Sequence, residues 1–207
     1  MIAIIDYGAG NLQSVFNAIK TIGYDPIVTG DHKQVQKADV IITPGVGSFS
    51  DCFDSLKRIN MVEVLNEMVM TKKKPFLGIC IGLQLLAKKS YEFGEHEGFG
   101  WINGKVIKID ETKALRVPHM GWNSVDILKQ DGLFSNFEGS PSFYFVHSYF
   151  LELETEEKDI ISSTCLHGDL ITASIQKENI FAVQFHPEKS QENGLRMLSN
   201  FFKTVGY

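Results

Sequence analysis

The run Phe76-Leu77-Gly78-Ile79-Cys80-Ile81-Gly82-Leu83-Gln84 carries the most structural information in the chain. Residues 75–79 read as a short buried strand, and residues 82–88 read as the start of a helix. A cysteine therefore stands on a sharp strand-to-helix turn, with a glycine two residues to either side. Such a turn strains the nucleophile's backbone, and side chains at plus and minus two would keep it from packing closely. The turn also aims the sulfur at a helix N-terminus, where partial positive charge favours thiolate. The backbone N–H of Ile81 then lies near any carbonyl the sulfur attacks. A free cysteine more often packs as a small hydrophobe. That reading holds for Cys52 and Cys165, which lack the flanking glycines.

Working outward, the first half repeats the strand-then-helix rhythm. Residues 2–5 read as a strand, Gly8-Ala9-Gly10-Asn11 as a turn, and residues 12–22 as a helix with apolar Leu12, Val15, Phe16 and Ile19. A second strand over 39–43 ends at Pro44-Gly45-Val46-Gly47, and helix follows across 53–70 with a break near Asn60. This order implies a mostly parallel central sheet with helices on both faces. From Gly104 to about Ile175 the pattern becomes short β segments, at 105–109, 124–127, 143–146, 160–164 and 170–174. Many are separated by turns, which suggests an antiparallel excursion. A buried strand over 180–185 and a helix over 193–202 close the chain. The reading is one α/β domain over residues 1–207.

Gln184-Phe185-His186-Pro187-Glu188 ends that last strand. A cysteine nucleophile needs a general base, and the base needs a third group to fix its tautomer. His186 suits the first role and Glu188 the second, because residues two apart on extended chain share a side. In open α/β sheets, sites form beyond the carboxyl ends of strands, which would gather Cys80 and His186. Gly45 or Val46 can add an oxyanion donor beside Ile81. Gly8-Ala9-Gly10 is no dinucleotide fingerprint, since Gln13 stands where GxGxxG needs its last glycine. The other five histidines lack metal-ligand spacing.

Composition narrows the class. The 207 residues carry a formal net charge of -5, which gives no electrostatic reason to bind nucleic acid or anionic lipid. The densest basic run, Lys72-Lys73-Lys74, reads as a solvated helix end. Three cysteines without CxxC spacing argue against a disulfide framework or a zinc site. The N-terminus has no basic segment, and no apolar run is long enough for a bilayer, so a cytoplasmic location is expected. No cofactor is called for.

The elbow, the His186 stretch and the Gly45 loop together resemble the triad-type (class I) glutamine amidotransferases, whose fold is flavodoxin-like. Val117-Pro118-His119-Met120-Gly121-Trp122-Asn123, Tyr144-Phe145-Val146-His147-Ser148-Tyr149 and Gln184 to Ser190 are similar to the glutaminase subunits of imidazole glycerol phosphate synthases. The likeness spans essentially the whole chain. It implies a Cys80–His186–Glu188 triad that releases ammonia from glutamine through a thioester. It also implies an oxyanion site from Gly45, Val46 and Ile81, and glutamine held by Gly47, Gln84, Glu92, His147, Ser148 and Tyr149. The implied partner is a synthase subunit with a (β/α)8 barrel, bound as a heterodimer and met by Gly10, Asn11, His119, Met120, Trp122 and Lys189. That subunit would use the ammonia to close the imidazole ring, with AICAR as second product. Trp122 suits an interface anchor and equally suits a core. Phe99-Gly100-Trp101-Ile102 resembles paralogous amidotransferases of surface-polysaccharide pathways, so that acceptor stays open. A regulatory subunit without catalysis and a stand-alone cysteine hydrolase are the remaining alternatives.

Overall fold

Strands Ile2–Ile5 (β1), Val40–Gly45 (β3), Phe76–Cys80 (β4) and Ile180–Val183 (β14) are buried along their whole length. Unbroken apolar strands of this kind need cover on both faces. The computed structural model, which describes residues 1–113 and 116–207, supplies that cover. Pro26–Thr29 (β2) joins at one edge, and the parallel strands run β2-β1-β3-β4-β14. This is the flavodoxin-like order. Asp169–Lys177 (β13), Ile161–His167 (β12) and Asp126–Ile127 (β9) extend the same sheet antiparallel, to eight strands.

Two helix groups cover it. Leu12–Thr21 (α1) packs with Gln191–Thr204 (α6), while Met61–Leu65 (α4) packs against both His32–Lys37 (α2) and Phe49–Arg58 (α3). The break expected near Asn60 is present: Asn60 takes the left-handed conformation between α3 and α4. A π-helical turn, Asn66–Thr71, then leads to β4.

The helix expected over 82–88 is a correction. Only Ile81–Gln84 (α5) is helical, and Ala87–Ser90 (β5) is a strand. Leu85, Leu86 and Ala87 are all fully buried, and a continuous apolar run fits either element. Pairing with Ile102–Lys108 (β7) decides for strand, in a second sheet ordered β11-β7-β5-β6, where β6 is His96–Glu97 and β11 is Tyr149–Leu153. The stretch expected as one strand over 124–127 is also divided. His119–Ser124 (β8) pairs with Ser142–His147 (β10) in a separate ribbon, and β9 joins the main sheet beyond buried Val125. Finally, β3 runs past residue 43 to Gly45. Its pairing with β1 ends at Ile42, so Pro44 has a strand neighbour on one side only, where a missing N–H is tolerated.

Candidate active site

Register places the site. Gly45 lies opposite Cys80 and Ile79 lies opposite Val183, so β3, β4 and β14 end side by side. Cys80 sits at φ 56° and ψ −108°, a region that L side chains rarely occupy. The flanking glycines are required by contact. A Cβ on Gly82 would stand 1.9 Å from the Thr43 carbonyl oxygen, and one on Gly78 would stand 2.5 Å from that of Gly82. The sulfur thus reaches the sheet rim because three backbones close under it.

Beyond β14 the chain bends at Gln184 and Phe185, and the His186 N–H donates to the Tyr144 carbonyl at 2.8 Å. A short 3-10 turn, Pro187–Lys189, then brings Glu188 back. Its Oε1 accepts from His186 Nδ1 at 2.8 Å, with both side chains only 2% exposed. That bond fixes the tautomer with the proton on Nδ1 and leaves Nε2 buried without a hydrogen-bond partner. Burial works against a charged imidazole here. The Cys80 sulfur and the Glu188 carboxylate outweigh it and raise His186 above its ordinary value. Ser190 holds the turn: its hydroxyl donates to the His186 carbonyl at 2.6 Å and accepts the Tyr144 N–H at 2.9 Å.

Cys80, Ile81 and His186 line a cavity of about 310 Å³, and every residue expected to hold substrate lines it too: Gly47, Gln84, Glu92, His147, Ser148 and Tyr149. Glu92 accepts the Phe49 N–H at the start of α3 at 2.6 Å, and burial raises its carboxyl above the ordinary value. Gln84 donates to the Tyr149 carbonyl, while its own Oε1 is buried without a partner on the cavity wall. Val46 lines the cavity and is half-exposed. Gly45 lies behind it, too close to Ile81 for a side chain: its Cβ would stand 2.8 Å from that of Ile81. The Tyr7 hydroxyl donates to the Pro44 carbonyl at 2.7 Å and the Cys52 thiol to that of Val46 at 3.6 Å. Peptide planarity then turns the N–H groups of Gly45 and Gly47 away from those anchors.

The other two cysteines are inert by environment. Burial pushes the Cys52 thiol up to about 11 and that of Cys165 up to about 12. Among the described residues, no cluster of His, Cys, Asp or Glu could hold a metal ion, and no helix is long and apolar enough to cross a membrane.

Of the residues expected at a partner surface, Met120 and Trp122 are half-exposed or more and share one side of β8. Lys189 is exposed, with its ammonium 5.9 Å from the Tyr144 ring, which meets Trp122 edge-on at 6.2 Å. Gly10 and Asn11 sit between β1 and α1, where Gly10 approaches the Pro44 carbonyl. His119 departs from the expectation of a surface residue. Strand alternation turns it inward, 3% exposed, stacked between Phe145 and His167, with Nδ1 bonded to His147 Nε2 at 3.0 Å.

Sequence reasoning missed Gln184, Ser190 and the cavity-lining Phe93, Pro118 and Val146. Gln184 and Ser190 flank the triad motif, which was the available signal. The other three carry no chemistry that spacing could pick out.

A family model described as glutamine amidotransferase class-I matches residues 3–205. The imidazole glycerol phosphate synthase subunit HisH 1 of Campylobacter jejuni is 47% identical over 201 residues, covering 97% of this chain and 98% of that protein. HisH of Pelagibacter ubique is 44% identical over 205 residues, with coverage of 97% and 98%. HisH of Aquifex aeolicus is 41% identical over 199 residues, with coverage of 96% and 94%. Among solved structures, a glutamine amidotransferase superposes over the full length of both chains with a TM-score of 0.77 at 17% identity. A PurLQS structure from Thermotoga maritima gives 0.75 at 17% identity, covering 99% of this chain and 98% of that one. At such identity the superpositions speak to the fold alone.

Proposed function

The chain belongs to the class-I glutamine amidotransferases and, among them, to the HisH subunits of imidazole glycerol phosphate synthase, and from that membership we propose that it hydrolyses glutamine with a Cys80–His186–Glu188 triad and hands the ammonia to a synthase partner. The observation that carries this reading is the buried His186–Glu188 pair beside a strained Cys80 on the wall of one cavity.

The geometry supports the following chemistry. Cys80 attacks the side-chain carbonyl carbon of glutamine, and its thiol proton passes to His186 Nε2. Negative charge collects on the carbonyl oxygen, where the Ile81 N–H and the loop of Gly45 and Val46 supply donors. His186 then protonates the departing nitrogen, the C–N bond breaks, and ammonia leaves a thioester. Water, deprotonated by the same imidazole, attacks the thioester and releases glutamate and free Cys80. Glu188 orients the ring throughout. Gly47, Gln84, Glu92, His147, Ser148 and Tyr149 hold the amino acid; the unpartnered Gln84 Oε1 supports this as an acceptor for a substrate donor.

The partner in this reading is a (β/α)8-barrel synthase subunit, bound as a heterodimer, which uses ammonia to form imidazole glycerol phosphate and AICAR in histidine biosynthesis. Replacing Cys80→Ala in the reconstituted complex is expected to cut glutamate release by about a thousandfold or more, with synthesis from added ammonium salt retained. Undiminished glutaminase activity in that variant would exclude the mechanism. The feature that suggested a surface-polysaccharide paralogue has a packing explanation. Trp101 is buried, stacks on Phe99 at 4.4 Å and donates to Asn66 Oδ1, so it says nothing about which partner takes the ammonia.

A further inference from the structure

We propose that Gln184 is a further catalytic residue, whose side-chain amide donates to the Cys80 sulfur and holds it as thiolate. The proposal rests on Cys80 being the nucleophile. Gln184 is the first residue past β14, fully buried, and its backbone N–H is fixed to the Ala173 carbonyl at 2.8 Å. Its Nε2 lies 3.7 Å from Cys80 Sγ.

Which end of the amide faces the sulfur is settled by a chain of partners. The Tyr149 carbonyl can only accept, so the group 2.8 Å from it must be Gln84 Nε2. The same nitrogen donates its second proton to Gln184 Oε1 at 3.0 Å. Gln184 Oε1 is thereby committed to Gln84, and the NH2 end is left against Sγ. A backbone carbonyl three hydrogen bonds from the sulfur thus sets the polarity of the contact.

The need for such a donor follows from the shape of the elbow. The helix after Cys80 is a single turn, so few peptide dipoles add up behind the sulfur. A donor in a buried site favours the ionised acceptor over the neutral one. Gln184 supplies it on a fully buried side chain whose other end is held by Gln84.

The test is carbamidomethylation of Cys80 by iodoacetamide across a wide pH range, read by peptide mass. Gln184→Glu exchanges one nitrogen for oxygen and keeps size and the acceptor toward Gln84. It is expected to slow labelling about tenfold or more at neutral pH, with the difference shrinking at high pH, where every thiol is ionised. Gln184→Met removes the donor without adding charge and is expected to show the same pattern more weakly. Buried Cys52 and Cys165 report folding in the same digest by staying unlabelled. Superimposable profiles for wild type and Gln184→Glu would overturn the proposal, as would a deficit that persists unchanged at high pH, which marks mere loosening. Failure of the triad reading looks different: Cys80→Ala would then keep its glutaminase activity in the complex, whatever the labelling profiles show.

Discussion

Cys80 pays for its reach in backbone strain, and that strain is measurable. A non-glycine residue in a sparsely populated φ/ψ region costs about 1–3 kcal/mol, and glycine there costs none. Against this, glycine loses roughly 0.5–1 kcal/mol through the unfolded chain. Cys80→Gly is therefore expected to be about 1 kcal/mol more stable than Cys80→Ala, although both lack the sulfur. Urea unfolding of the two variants checks this, and Cys80→Gly proving less stable than Cys80→Ala by the roughly 0.5–1 kcal/mol of glycine chain entropy would show an elbow without strain. The same local contacts explain what was readable at this scale. Glycine at 78 and 82 records a steric demand that sequence displays directly. Gln184 was not readable in that way: an amide's role depends on which end it presents, and Tyr149, remote in sequence, decides that.

Strands β8 and β10 show what an element adds. The ribbon brings His119 opposite His147, and the two rings bond, His147 going on to the Tyr149 carbonyl and His119 accepting from Asn123. Both are therefore buried in their neutral forms. Burial, with the neighbouring His167, lowers His119 to about 4. Burial and then His119 lower His147 to about 3. Above about pH 6.5 both rings are neutral, folded or unfolded, and contribute no pH dependence. As pH falls below that, the unfolded chain takes up protons that the native state refuses, so stability drops until the folded values near 4 and 3 are reached. Between pH 7 and 5 the pair is expected to cost about 2–3 kcal/mol, discounted for partial solvent screening. His186 acts on the other limb: its raised value stabilises the fold below the ordinary histidine range, and this is lost as pH climbs through the folded value. Denaturant midpoints against pH test this, with His147→Gln expected to flatten the acid side. An acid limb unchanged in that variant would rule the assignment out. None of this was legible in the chain, because cross-strand register joins residues 28 apart. The reading of residues 82–88 as helix failed for a related reason, since β7 supplies the hydrogen bonds that make β5 a strand. Parallel strands β1, β3, β4 and β14 were legible because each is buried throughout and announces itself by composition, whereas β2, partly exposed at the sheet edge, carried no such signal and was not read.

At the scale of the molecule, the strand ends, the triad turn and the β8–β10 ribbon meet at one rim. Trp122 and Tyr144 pack edge-on there with Lys189 beside them, and the Tyr144 carbonyl accepts the N–H of His186. A partner seated on Trp122 would thus lie one ring and one hydrogen bond from His186. Trp122 makes no buried core contact to lose, being 49% exposed, so its value to the isolated subunit is small. A half-exposed tryptophan at the centre of an interface is instead a common energetic anchor. Trp122→Ala is expected to weaken binding of the proposed synthase partner by about 2 kcal/mol or more, roughly 30-fold, with thermal stability of the subunit alone nearly unchanged. Glutaminase activity should fall with occupancy of the complex and recover when partner is in excess. Titration calorimetry beside a melting curve separates the outcomes. Unchanged affinity would place the partner elsewhere on the rim, and a large loss of melting temperature would show Trp122 to be structural after all.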